Sequence, residues 1–145
     1  MQEYDYLNII NFDMVKNILP KRRPDSNKGT FGRLLCICGS KNMPGAAFYC
    51  IAAASRCGVG LIQSVILEDI YSITASKISE SLFYPICNDF EKAWDTINSL
   101  LPRSTAVLVG CGMGWNKFTQ KIVYKLLKES SVPLVIDADG INAVS

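Results

Sequence analysis

Three short stretches of this chain hold residue types at spacings that could do chemistry. The first is Gly39-Ser40-Lys41-Asn42-Met43-Pro44-Gly45-Ala46-Ala47. It lies between an apolar run and an alanine-rich one, so it reads as a strand end, a turn of small residues and a helix start. Pro44 suits the first helical position. That leaves Met43 as the cap, and methionine caps poorly. The N–H groups of such a turn suit a ligand whose negative charge the helix dipole favours. The second stretch is Gly110-Cys111-Gly112-Met113-Gly114, where glycine lets the backbone approach a ligand closely. It departs from the dinucleotide fingerprint, because Trp115 stands where the last glycine would be. The third is Asp137-Ala138-Asp139-Gly140 with Asn142 nearby. Two carboxylates there can hold a metal-bound phosphate or the polar groups of a substrate. Taken singly, each stretch also suits a purely structural role: a hydrated tight turn, a glycine turn, a pair of capping and turn aspartates.

Composition removes several alternatives. The chain has no histidine, which excludes a histidine-containing zinc site, a Ser-His-Asp triad and a Cys-His pair. Six cysteines occur, at 36, 38, 50, 57, 87 and 111, none in C-x-x-C spacing. They read as buried free thiols acting as small hydrophobes, with no metal site expected, and point to a reducing, cytoplasmic setting. A net charge of +2 gives no field that would attract nucleic acid. The start Met1-Gln2-Glu3-Tyr4-Asp5 lacks the basic and apolar regions of a signal peptide. The greasy stretch from Ala46 to Leu67 is broken by Ser55, Arg56, Gly58 and Gly60, so no membrane span is expected. With 49% hydrophobic and 19% charged residues, the chain has ample apolar surface to fold.

The elements that must position the three stretches follow from periodicity. Residues 11–19 place Phe12, Val15, Ile18 and Leu19 on one helical face, with Pro20 as terminator. Residues 33–38 form a near-continuous apolar run, the pattern of a strand covered on both faces. A helix over Ala46–Cys57 stops at Gly58, and Leu61–Leu67 is a second strand. A short helix is expected within Asp69–Ser79. Leu82–Cys87 contains Pro85, which demotes it to an edge or irregular strand. Asn88 and Glu91 suggest a capping box for a helix burying Phe90, Ala93, Trp94, Ile97, Leu100 and Leu101. Ala106–Val109 is a strand. Asn116 caps a helix with a stripe of Phe118, Ile122, Val123, Leu126 and Leu127, and Leu134–Ile136 is a final strand. Such alternation means an α/β fold with a mostly parallel sheet. All three stretches then fall at strand carboxyl ends, where open α/β sheets bind ligands. At 145 residues this is one domain at most. Ser145 follows the last strand closely, so the architecture is expected to be truncated.

The three stretches together resemble one family, the NAD(P)H-hydrate dehydratases. Lys28-Gly29-Thr30-Phe31-Gly32-Arg33-Leu34-Leu35-Cys36-Ile37-Cys38-Gly39-Ser40 resembles their K-G-x-F-G-R-V-L-V-I-G-G-S opening. Met43-Pro44-Gly45-Ala46-Ala47, then Ala52-Ala53-Ala54 and Arg56-Cys57-Gly58-Val59-Gly60-Leu61, resembles M-P-G-A followed by A-A-x-R-x-G-A-G-L. Val107–Gly114 is similar to V-I-G-P-G-L-G, and Pro133–Asn142 to P-L-V-I-D-A-D-A-L-N. The resemblance covers the chain from about Phe12 onward.

The resemblance implies a three-layer α/β/α, ribokinase-like fold. It implies repair of the hydrated cofactors NADHX and NADPHX: ADP or ATP, with Mg2+, phosphorylates the ring hydroxyl, phosphate leaves, and NADH or NADPH is restored. Ala46, Gly112, Gly114, Asp139 and Asn142 fall where the family holds the hydrated dinucleotide. The T-P-H-P-G-E, K-G-x-x-T and G-T-G-D segments of the family are not in this sequence, and the last supplies its catalytic aspartate. Residues 1–145 are therefore expected to be the N-terminal portion of one such domain, with 1–27 as an N-terminal helix and surface segment. No catalytic residue is expected here, the chain alone is expected to be inactive, and pairing with a second chain or with itself is expected. Asn27, Cys38, Cys111 and Gly140 depart from the family's His, Gly, Pro and Ala. Two other functions suit the same residues: a piece of a ribokinase-like small-molecule kinase, or a non-catalytic dinucleotide- or phosphate-binding module.

Overall fold

The computed structural model describes residues 9–19 and 21–145. Five parallel strands form one sheet in the order β3-β2-β1-β4-β5. They are β1 (Arg33–Ile37), β2 (Leu61–Leu67), β3 (Ser81–Ile86), β4 (Ala106–Val109) and β5 (Leu134–Ile136). The helices are α1 (Phe12–Ile18), α2 (Pro44–Arg56), α3 (Glu68–Ala75), α4 (Phe90–Leu100), α5 (Lys117–Glu129) and α6 (Asp139–Asn142). Side chains of a strand alternate between faces, and β1 splits accordingly. Leu35 and Ile37 pack with Val65, Val107 and Val109 under Trp94 and Ile97 of α4 and Ile122, Val123 and Leu126 of α5. Cys36 and Cys38 face the other way, with Ile62 and Ile66, under Ala47, Ile51 and Ala52 of α2 and Ile70 of α3. Two apolar layers on one parallel sheet make the expected α/β/α sandwich. Ile97 is fully buried in the first layer. Ile97→Val should lower stability by about 0.5–1.5 kcal/mol, read from the urea midpoint, and a larger loss would mean that the layer cannot relax around one missing methyl group.

β3 takes an edge position, as Pro85 requires: it pairs only with β2, with Pro85 opposite Ile66. Buried polar groups in this part of the sheet find partners, with Ser64 Oγ and Ser81 Oγ 2.7 Å apart. The local signals need three corrections. The cap of α4 is Asp89, whose carboxylate accepts from the Lys92 N–H at 3.1 Å, rather than Asn88. On α5 the inner face is Thr119, Ile122, Val123 and Leu126. Leu127 lies one residue, about 100°, further round the helix and is exposed. The short helix after β2 begins directly at Glu68 and ends at Ala75. Asn11 caps α1, whose residues Phe12, Val15 and Ile18 are exposed. Pro20, expected to end it, lies outside the described residues. No helix among the described residues is long and apolar enough to cross a membrane.

Candidate functional site

The turn after β1 is built on a glycine with no alternative. Gly39 has φ +82, and a Cβ there would lie 2.8 Å from that of Ala47. Its N–H donates to Cys111 O at 2.8 Å, which ties this turn to the one after β4. Beyond it α2 begins as the sequence predicts: Met43 is the cap with no side-chain hydrogen bond, and Pro44 opens the helix.

The glycine turn after β4 closes on both neighbours. Gly112 is buried at φ +67, and a Cβ there would overlap that of Ala46. On the other side the Gly114 N–H donates to Asp139 Oδ2 at 2.8 Å. Asp139 is set at that position by Ala138, the one non-glycine residue with positive φ among those described, at φ 50 and ψ −119. Such a conformation costs of order 1–3 kcal/mol and persists only where its surroundings impose it. Asp137 is the other carboxylate, and its Oδ2 is 3.5 Å from Cys111 Sγ.

Of the sequence-predicted residues, then, Ala46 meets Gly112 and Gly114 meets Asp139. Asn142 is exposed at the end of α6 and stands apart from these contacts. A cleft of about 480 Å³ opens beside the two turns, and Met43 and Gly114 belong to its wall. Lys41 and Asn42 line it on one side, Glu68 and Asp69 at the start of α3 on another, and Asn88 and Asn116 before α4 and α5 complete the rim. The N-termini of α2 and α5 therefore converge here, and their partial positive charge favours an anionic group. No site role is expected from the sequence alone for Glu68, Asp69 or Asn88, all of which line the cleft. They lie at the carboxyl ends of β2 and β3, so the strand-end rule that selected the other stretches would have found them. Gly112 and Ala46 support the wall from behind rather than facing the cleft.

One donor group accompanies the site. The sulfur atoms of Cys38, Cys50 and Cys111 all lie within 4.8 Å of one another. Cys36 Sγ is 3.7 Å from Cys38 Sγ. Hydrogen bonding with Cys111, Cys36 and Cys50, together with burial, holds the Cys38 thiol well above its ordinary value. Cys50 is pulled down to about 3 by the hydrogen bonds that Cys36 and Cys38 direct at it, against the effect of burial.

The chain has clear relatives. A family model described as NAD(P)H-hydrate dehydratase matches residues 34–145. The bifunctional NAD(P)H-hydrate repair enzyme of Coxiella burnetii is 31% identical over 128 residues, covering 88% of this chain and 25% of the relative. Among solved structures, a ribokinase-like superfamily protein from Enterococcus faecalis superposes with a TM-score of 0.82 at 22% identity, over 92% of this chain and 46% of its own; that likeness is one of fold. The ADP/ATP-dependent NAD(P)H-hydrate dehydratase from Bacillus subtilis, co-crystallized with ATP/Mg2+, superposes with a TM-score of 0.74 at 25% identity, over 88% of this chain and 44% of its own. The chain thus spans a quarter of the curated relative and under half of each solved structure. The match over residues 34–145, joined to the ribokinase-like sheet and the motifs at its strand ends, means that this chain belongs to the NAD(P)H-hydrate dehydratase family.

Proposed function

We propose that this chain supplies the dinucleotide-holding side of an ADP- or ATP-dependent (S)-NAD(P)H-hydrate dehydratase, and that the cleft between the two turns receives the hydrated dinucleotide NADHX or NADPHX. The observation that carries this is the junction of the Met43–Ala47 turn, the Gly110–Gly114 turn and Asp139 beside one cleft with two helix N-termini on its wall. A dinucleotide presents a diphosphate, and helix N-termini with closely approaching backbone suit it. In the overall reaction the nucleotide's terminal phosphoryl group passes to the ring hydroxyl, a poor leaving group. The C–O bond then breaks as the ring nitrogen pushes phosphate out, and loss of a proton from the neighbouring ring carbon restores the double bond of NADH or NADPH. Positioning and charge stabilisation dominate such transfers. The part assigned to this chain is to hold the substrate, with Ala46 and Gly112 setting the wall and Gly114 and Asp139 fixing the turn, and with Asn142 exposed to the substrate from the end of α6. No catalytic residue is assigned to it.

Mg2+ prefers oxygen donors and commonly binds through a nucleotide's phosphates. Among the described residues the one group of three or more candidate metal ligands is made of thiols, which Mg2+ does not favour, so Mg2+ would enter with the nucleotide's phosphates.

Binding separates this function from the alternatives. Trp115 is 73% exposed next to Gly114 and provides a fluorescence signal. The chain should bind NADPHX, measured by tryptophan fluorescence and calorimetry, and should ignore sugars and sugar phosphates. A folded chain that preferred a sugar would be a kinase piece, and one with no affinity for either would overturn the proposal. Gly45 gives a sharper test, because a Cβ there meets nothing within 4 Å and its φ is ordinary. Gly45→Ala should stabilise the chain by about 0.4–1 kcal/mol. The same methyl group should stand in the path of the diphosphate and weaken NADPHX by about tenfold, equivalent to about 1.4 kcal/mol. A stabilised variant with undiminished affinity would place the dinucleotide elsewhere.

A further inference from the structure

The thiol cluster sits at the edge of the second apolar layer, with Cys38 buried in it and Cys50 and Cys111 packed against it. Its members come from three separate elements: Cys38 just beyond β1, Cys50 in the middle of α2, and Cys111 in the turn after β4. All the cysteines of the described structure are free thiols. Cys38 is buried, while Cys50 and Cys111 are half-buried, so the cluster is closed below and reachable from above. Cys38 and Cys111 are also two of the positions at which the sequence departs from the motifs it resembles, so the cluster is a property of this chain.

Three sulfurs mutually within 4.8 Å are close to the arrangement a metal imposes. A tetrahedral ion with Zn–S bonds of about 2.3 Å sets its sulfurs about 3.8 Å apart. The side chains need to close in by only about 1 Å at the widest pair, within reach of small χ1 rotations. Thiolates select soft ions such as Zn2+ and Cu+ over Mg2+ or Ca2+. A fourth donor is at hand: Asp137 Oδ2 lies 3.5 Å from Cys111 Sγ. Water can fill that position instead, since the upper side is open.

We propose that Cys38, Cys50 and Cys111 form a three-thiolate site for one Zn2+ ion, with Asp137 at the edge of its fourth position. The ion cross-links α2 to the turns after β1 and β4, which are the turns that frame the cleft. It is a structural clasp behind the cleft, independent of the dinucleotide proposal and readable without any turnover.

The test uses the full chain, reduced and stripped of metal. Co2+ titration should give a sulfur-to-cobalt charge-transfer band that saturates at one ion per chain, and Zn2+ should displace the cobalt and raise the melting temperature by mass action. Cys111→Ser and Cys50→Ser should each weaken Zn2+ by more than about 100-fold, beyond the 10–100-fold that outer-shell partners carry. Cys57→Ser, at an exposed thiol outside the cluster, should leave binding unchanged. Circular dichroism checks that each variant is folded. If Cys50→Ser fails to fold, Cys111→Ser in the turn reads the same site. Absence of the band in the intact chain overturns the proposal. So does a band that survives both cluster variants, or one that disappears with Cys57→Ser.

Discussion

Gly110→Ala should lower the stability of this chain by about 3–5 kcal/mol, a large share of the roughly 5–15 kcal/mol that holds a domain folded. Gly110 has φ +116, a conformation side chains rarely adopt, and a Cβ there would overlap Asp137 O and stand 2.6 Å from Gly140 N. The strain contributes about 1–3 kcal/mol. Forcing two backbone segments apart contributes a similar amount, as overpacking does in a rigid core. Neither segment can yield easily. The Gly110 N–H bonds Ile37 O, the Asp137 N–H bonds Val109 O, and the Gly140 N–H bonds Asp137 O. Gly140 is itself packed close, since its own Cβ would lie 3.0 Å from Gly110 Cα. The urea midpoint measures the loss, with Gly45→Ala as a glycine replacement of opposite sign. A Gly110→Ala midpoint equal to that of the parent would mean that the turns after β4 and β5 do not approach as described.

Asp139→Ala should leave the fold nearly intact and weaken NADPHX binding by roughly 10- to 100-fold. The Asp139 carboxylate holds the Gly114 N–H at 2.8 Å, and a hydrogen bond to a charged group contributes about 1.5–3 kcal/mol. Without it the Gly110–Gly114 turn loses its tether on the β5 side, and the wall of the cleft loosens just where Gly114 borders it. Asp139→Asn keeps an oxygen that accepts the same bond, so affinity should largely return. Calorimetric titration of the three proteins is decisive. An Asp139→Ala variant that binds like the parent would separate this tether from the dinucleotide, and an Asn variant as weak as Ala would assign the effect to charge rather than to the hydrogen bond.

The sequence by itself determined the elements whose causes are local. Asn116 as a cap, Pro44 at a helix start and Gly58 past a helix end act within a few residues and stand as expected, and the apolar stripe of α4 does so at Ala93, Trp94, Ile97 and Leu100, with Phe90 only half-buried. Pro85 on an edge strand belongs with them, because a missing N–H is a covalent fact. The family was equally legible, since its motifs run contiguously along the strand ends. Boundaries were less so: Asp89 rather than Asn88 takes the cap of α4 because neighbouring residues with similar side chains compete for the same N–H groups. Tertiary structure alone decided which stretches meet. Strand order is set by which faces must be covered and how crossovers close, so no spacing announced that Gly112 would press on Ala46 or that Gly114 would bond Asp139. The same applies to Glu68 and Asp69, whose place on the cleft depends on β2 lying beside β1. It applies most to the cysteines. Positions 38, 50 and 111 share no sequence period, and only a parallel sheet that seats α2 over β1 and β1 beside β4 brings their sulfurs together.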